Sequence, residues 1–112
     1  MAKDPSISKL ISDFKNTEAS PFGPPYESGI YGVFVSHRWN ECYSEHLLYI
    51  GSSKNVAKRV LRPDHYYRII YNRFSGTDVL VYTKTLLCEE PVESEKILIK
   101  YLRPKLNKAH KY

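Results

Sequence analysis

The sequence predicts one small domain of the α/β class, of the α+β kind: a three-stranded, antiparallel-type sheet flanked by helices, in the order α-β-β-α-α-β-α. Three observations carry this. The chain has 112 residues, room for one compact core and not for two. Hydrophobic residues make up 42% and charged residues 26%, which excludes whole-chain disorder. Short runs rich in β-branched and aromatic residues alternate with amphipathic stretches and Gly/Pro breaks, the pattern of helices packed on a small sheet.

Residues 3–15 read as an amphipathic helix. Asp4 caps it, Pro5 suits its first turn, and Ile7, Leu10, Ile11 and Phe14 recur at helical spacing. The run Pro21-Phe22-Gly23-Pro24-Pro25 breaks it and forces an extended connector. Residues 1–28 are therefore a helix and a Pro-rich arm ahead of the main unit, 29–112, within one compact domain. Residues 29–36 (GIYGVFVS) and 47–51 (LLYIG) read as strands of a hairpin, joined by a polar loop over 37–46. Ser52 or Ser53 is expected to cap a short helix that ends before Pro63. Asp64 then caps a second helix to about Phe74, with Tyr66, Ile69, Ile70 and Phe74 on one side. A turn over 75–78 leads to a β-branched strand, 79–87. Acidic residues and Pro91 open the clearest helix, 91–103, and Pro104 closes it.

Lys and Arg number 17 against 12 Asp and Glu, a formal net charge of +5. Such an excess favours a polyanion such as nucleic acid, because Lys and Arg displace counterions from phosphates; a basic surface kept for solubility is the alternative. No apolar run approaches the roughly 20 residues a membrane span needs, and the first ten residues hold no signal-peptide core. The expected setting is cytoplasmic, with no membrane partner. Cys42 and Cys88 lie far apart without a C-x-x-C and are expected to be free thiols. His37, His46, His65 and His110 show no metal-ligand spacing, and none of the common hydrolase, Walker or dinucleotide motifs occurs.

Three features call for chemistry. On the helix over 91–103, Val92, Glu95, Ile99 and Leu102 fall on one face. A carboxylate in an apolar stripe costs several kcal/mol unless it is paired or binds a cation. Either a salt bridge to a basic residue or a metal or catalytic role answers that cost. Tyr31 and Tyr49 lie on neighbouring strands, as a cross-strand core pair or as two phenols presented together. Arg59 follows in the next helix with Lys54, Lys58 and Arg62, either a phosphate clamp or a solvated face.

Together these pieces resemble the GIY-YIG nuclease family. Gly29-Ile30-Tyr31 and Tyr49-Ile50-Gly51 match the two halves of its name. YIGSSKNVAKR, residues 49–59, is similar to the segment from the second tyrosine to the helix arginine. Glu95, followed by KILIKYLRPKLN to Asn107, is similar to the glutamate helix and its closing Pro-x-x-Asn. The resemblance spans 29 to about 108. It implies a divalent-metal-dependent DNA endonuclease that hydrolyses phosphodiester bonds. Tyr31 would be the general base or would position the attacking water. An ordinary phenol, with a pKa of about 10, is too weak a base at neutral pH, so Arg59 and the cation would have to favour its phenolate. Tyr49 would hydrogen-bond the scissile phosphate or the water. Arg59 would bind that phosphate and stabilise developing charge. Glu95 would hold one Mg²⁺ or Mn²⁺ as its single protein carboxylate. Lys54, Lys58, Arg62 and Asn107 would serve DNA binding, and Asn107 would also tie the chain end to the site.

The chain departs from the family pattern in places. Pro63 stands where members often have a His or Tyr one turn after the arginine. His65 is the nearest substitute, accepting or relaying the Tyr31 proton. Ser52 stands where many members carry a lysine, with Lys54 as its replacement. The 37–46 loop, with Arg38 and Trp39, lengthens the hairpin, either as a DNA contact or as a tolerated insertion. The chain stops soon after Asn107, which fits a free-standing nuclease or a catalytic fragment, in restriction, homing-related or repair and recombination settings. A double-strand break would need a homodimer, a transient dimer on DNA or two encounters. The alternatives are a non-catalytic nucleic-acid-binding module of the same fold, and a small interaction domain whose tyrosines are all core.

Overall fold

Alternation along one strand decides the architecture. The computed structural model describes residues 5–17, 24–39, 42–62, 65–74, 76 and 78–109. The elements are α1 (Pro5–Asn16), β1 (Gly29–Trp39), β2 (Cys42–Ser53), α2 (Val56–Val60), α3 (Tyr66–Phe74), β3 (Val79–Leu87), α4 (Pro91–Leu102) and α5 (Lys105–Ala109). The fold is α+β: the three strands form an antiparallel sheet in the order β2-β1-β3, flanked by helices. Successive side chains of a strand point to opposite faces, and central β1 is apolar on both. Tyr31, Val33 and Val35 pack with Val56 and Val60 of α2 and Ile70 of α3. Ile30 and Phe34 pack with Phe14 of α1 and Leu98 of α4. The sheet is therefore a middle layer, and helices cover both of its faces.

One glycine permits the second face to close. A Cβ on Gly32 would lie 2.7 Å from Phe34 Cε1 and 2.8 Å from Phe14 Cζ. The bare backbone lets the Phe14 ring seat against β1, which brings α1 onto the sheet with Phe14 fully buried. Among the described residues no helix is long and apolar enough to cross a membrane. Cys42 and Cys88 are free cysteines.

The structure corrects several sequence expectations. Within the polar stretch 37–46, residues 37–39 and 42–46 are strand rather than loop: His37 pairs with Ser44, Arg38 with Tyr43 and Trp39 with Cys42, while 40 and 41 lie outside the described residues. Backbone hydrogen bonds make a ladder whatever the side chains. Polarity here reports that the hairpin end faces water, with His37, Arg38, Ser44, Glu45 and His46 exposed. Ser52 and Ser53 lie inside β2, and the cap of α2 is Asn55, whose side chain accepts the Lys58 N–H at 3.1 Å. The other early N–H groups of α2 reach the connector, Ala57 to the Pro25 carbonyl at 2.9 Å and Val56 to that of Glu27 at 3.0 Å. A helix of one turn survives because its orphan donors are satisfied. In α3, Ile70 is packed, while Ile69 and Phe74 face outward. Helix α4 ends at Leu102 because Arg103 turns left-handed, with φ of 46°, and Pro104 follows. The chain then makes α5, which the sequence reading lacked. Asp4, residues 21–23, Pro63, Asp64, Ser75, Thr77 and the Trp39 side chain lie outside the described residues.

Helix α5 matters because β2 is an edge strand. Buried Asn107 accepts the Ile50 N–H at 2.7 Å and donates to the Ile50 carbonyl at 2.9 Å. One side-chain amide thus replaces the neighbouring strand that β2 lacks at that residue. Removing it orphans two buried backbone groups, each at a cost of about 1–3 kcal/mol. Asn107→Ala is expected to lower the urea midpoint with an unchanged slope; an unshifted midpoint would show that the amide does not hold the edge.

Candidate functional site

The two sequence-singled tyrosines share a face by register. Tyr49 pairs with Val33 and Tyr31 with Gly51, so both rings project toward α2 and α3, with centroids 6.3 Å apart. Gly51 is required by Tyr31: a Cβ there would stand 2.5 Å from Tyr31 Cζ. The phenol lies flat over the β2 backbone and is only 1% exposed.

Helix α3 supplies the opposite wall. His65 stands immediately before it and caps it, Nδ1 accepting the Tyr67 N–H at 2.9 Å, while Nε2 lies 2.6 Å from Tyr31 Oη. The His65 ring meets the Tyr49 ring edge-on at 5.9 Å, and Tyr66 packs on Tyr49 at 4.9 Å.

Helix α2 supplies the charge. Burying Val56, Ala57 and Val60 uses one side of this single turn, which leaves Lys58 and Arg59 exposed on the other. A cleft of about 210 Å³ is lined by Tyr49, Arg59, Arg62, His65 and Tyr66. A groove of about 290 Å³ is lined by Ser53, Lys54, Asn55 and Lys58 together with the same two arginines. The two spaces share Arg59 and Arg62 and line up as a basic track along α2. No carboxylate lines it among the described residues, so its field favours an anion throughout.

Tyr31 lies behind this cleft rather than in its wall. Burial pushes its phenol well above the ordinary value of 10. Tyr49 and Glu95 push the same way, and Arg59 pulls down by its charge and a hydrogen bond. The net direction is upward because an exposed guanidinium returns less than a buried phenolate loses in hydration. Arg59 pulls in the direction expected of it, toward the phenolate, but without a cation it does not offset the burial.

Glu95 stands apart. The stripe expected around it is only partly apolar burial: Leu98 is buried, Ile99 and Leu102 are partly so, and Val92 is 53% exposed. Glu95 itself is half-buried. The Ser52 hydroxyl donates to its Oε1. Among the described residues no Lys or Arg forms an ion pair with it. It borders a separate groove of about 500 Å³ with Val92, Lys96, Ile99 and Lys100, and it reaches the cleft through its charge on Tyr31. Its donors are hard oxygens, a carboxylate beside a hydroxyl, and these fit Mg²⁺ or Mn²⁺. No group of three His, Cys, Asp or Glu gathers among the described residues, so a cation at Glu95 would keep mostly water ligands.

The structure thus brings together Tyr31, Tyr49, Arg59 and His65, with Arg62, Lys58 and Lys54 along the track. Asn107, counted with the DNA contacts, is buried on Ile50 and anchors the strand that carries Tyr49. Lys54, offered as the replacement for the lysine that Ser52 displaces, lies beside the groove along α2. It donates to the Glu89 carbonyl at 3.1 Å, and Ser52 meets the Glu95 carboxylate. Strand alternation could have found Ser52, since it shares a face with Ile50, the face on which α4 packs. Tyr66 as a cleft wall carried no separate signal. No family model, no curated protein and no solved structure matches the chain.

The Tyr31 shift sets an alkaline limit on stability. Its folded value lies above the unfolded 10, so on raising the pH the unfolded chain releases the proton first. Stability is then complete below about pH 10 and declines above it. Tyr67 and Tyr82 shift in the same direction. Urea melts from about pH 8 to 11 are expected to show the decline, with Tyr31→Phe less sensitive than wild type; equal sensitivity would remove Tyr31 as a cause.

Proposed function

We propose that this chain is a divalent-metal-dependent DNA endonuclease of the GIY-YIG kind, hydrolysing phosphodiester bonds. The observation that carries the reading is the meeting of Tyr49, Arg59 and His65 around one cleft, with Tyr31 held on His65 behind it, beside a track of four cations. A polynucleotide strand fits such a track because its phosphates repeat along it. Arg59, shared by cleft and groove, binds the scissile phosphate and stabilises the charge that grows on it. Arg62, Lys58 and Lys54 hold flanking phosphates. The Tyr49 hydroxyl orients the phosphate or the attacking water. The charges of Arg59 and Glu95 converge on the Tyr31 phenol, and in this reading the water stands there. While Tyr31 keeps its proton, it positions that water rather than deprotonating it. Hydrolysis joins the water oxygen to phosphorus and breaks the bond to one sugar oxygen, leaving a phosphate monoester and a hydroxyl. Glu95, held by Ser52, would carry the cation, which when bound supplies Lewis-acid charge and a more acidic water.

A second reading has its own support. Tyr31 is buried and protonated, and Glu95 opens onto another groove. Both features suit a nucleic-acid-binding module that does no chemistry. Cutting separates the two. Plasmid nicking is expected with Mg²⁺ or Mn²⁺ and is expected to stop in EDTA. Glu95→Ala is expected to abolish nicking while DNA affinity persists, and Arg59→Ala to lower the rate by about 100-fold or more. Wild type that binds DNA but cuts with neither metal would establish the module instead. In either reading, Lys58→Ala and Arg62→Ala are each expected to reduce the salt slope of binding by about 1. Unchanged slopes would place the nucleic acid elsewhere.

A further inference from the structure

His65 makes two hydrogen bonds whose directions are linked. Its Nδ1 accepts the backbone N–H of Tyr67 at 2.9 Å as the cap of α3. A ring nitrogen that accepts an N–H carries no hydrogen of its own, so the single hydrogen of the neutral ring sits on Nε2. That nitrogen lies 2.6 Å from Tyr31 Oη. Turning the ring over would set carbons at both contacts and lose both bonds. The geometry points to His65 as a donor: its Nε2–H is given to the Tyr31 oxygen, so His65 positions this phenol and does not receive the phenol's proton.

Two consequences follow. The Tyr31 oxygen accepts from His65, so its own hydrogen points away from that ring. The α3 cap and the Tyr31 contact are also one device. A proton placed on Nδ1 would set two N–H groups against each other at the start of α3, so the fold selects the tautomer before any ligand arrives. The tautomer stands on the two hydrogen bonds alone, while its meaning for catalysis rests on the nuclease reading.

The test reads the two separately. Full-length protein labelled with ¹⁵N-histidine is observed by long-range ¹H–¹⁵N correlation at about pH 8, above the ordinary histidine range. The signal that vanishes in His65→Gln is assigned to His65. A protonated Nε2 with an unprotonated Nδ1 is expected, and the opposite pattern overturns the proposal. Nicking supplies the second arm. His65→Ala is expected to lose about 10- to 100-fold. His65→Gln sets an amide N–H near the Nε2 position and offers no basic nitrogen. It is expected to recover at least about tenfold of that loss, because proton acceptance by His65 would be worth about 100-fold or more. A folded Gln variant as inactive as Ala overturns the donor role. If no form of the protein cuts DNA, the nuclease reading fails, and the spectrum still decides the tautomer.

Discussion

The burial of one phenol organises this protein. Tyr31 fits only because residue 51 has no side chain, and that glycine stands opposite only in the observed β1–β2 register. A slip of one residue would turn every side chain of the strand to the wrong face. The Tyr31 ring is almost closed off from bulk solvent here, so a protein partner comes to its hydroxyl. That partner is His65, and because His65 also caps α3, the same contact fixes where that helix begins. Sheet register, helix start and cleft wall are thus consequences of a single packed ring.

Charge is sorted by the packing around that ring. A helix of one turn has room for one apolar stripe, and α2 spends it on the sheet. Its cations are left on the outer side, joined by Lys54 and Arg62 at either end. The acidic residue of most interest sits on α4, which packs the other face of the sheet, and Ser52 on the edge strand holds it. The anion-favouring track and the cation-favouring carboxylate are therefore kept apart, and the Tyr31 phenol is the group on which both fields act. Asn107 braces the same edge from behind, at the residue between Tyr49 and Gly51.

Much of this was legible in the residues. Helical spacing of Ile7, Leu10, Ile11 and Phe14 marked α1, and the β-branched run marked β3. The shared face of Tyr31 and Tyr49 followed from strand alternation. The errors have a common origin. Polarity over 37–39 and 42–46 suggests a loop, but a ladder needs only backbone partners. Spacing sets Ile69 and Phe74 on one side of the helix with Ile70 but does not say what covers that side, and both face outward. Glu95 was given an apolar surround for the same reason, although Val92 faces outward.

By itself the sequence determined the class of the fold, the presence of a basic helix beside a tyrosine hairpin, and the small group of residues worth following. Periodicity and composition are local properties, and these features are written locally. Only the tertiary structure decided that Ser52, rather than a basic residue, meets Glu95, and that Asn107 serves the backbone of Ile50. It also decided that His65 is held by both ring nitrogens and that Tyr31 lies behind the cleft wall. Each of these depends on which groups, tens of residues apart, become neighbours and how much water they lose. That is set by the packing of helices on both faces of the sheet.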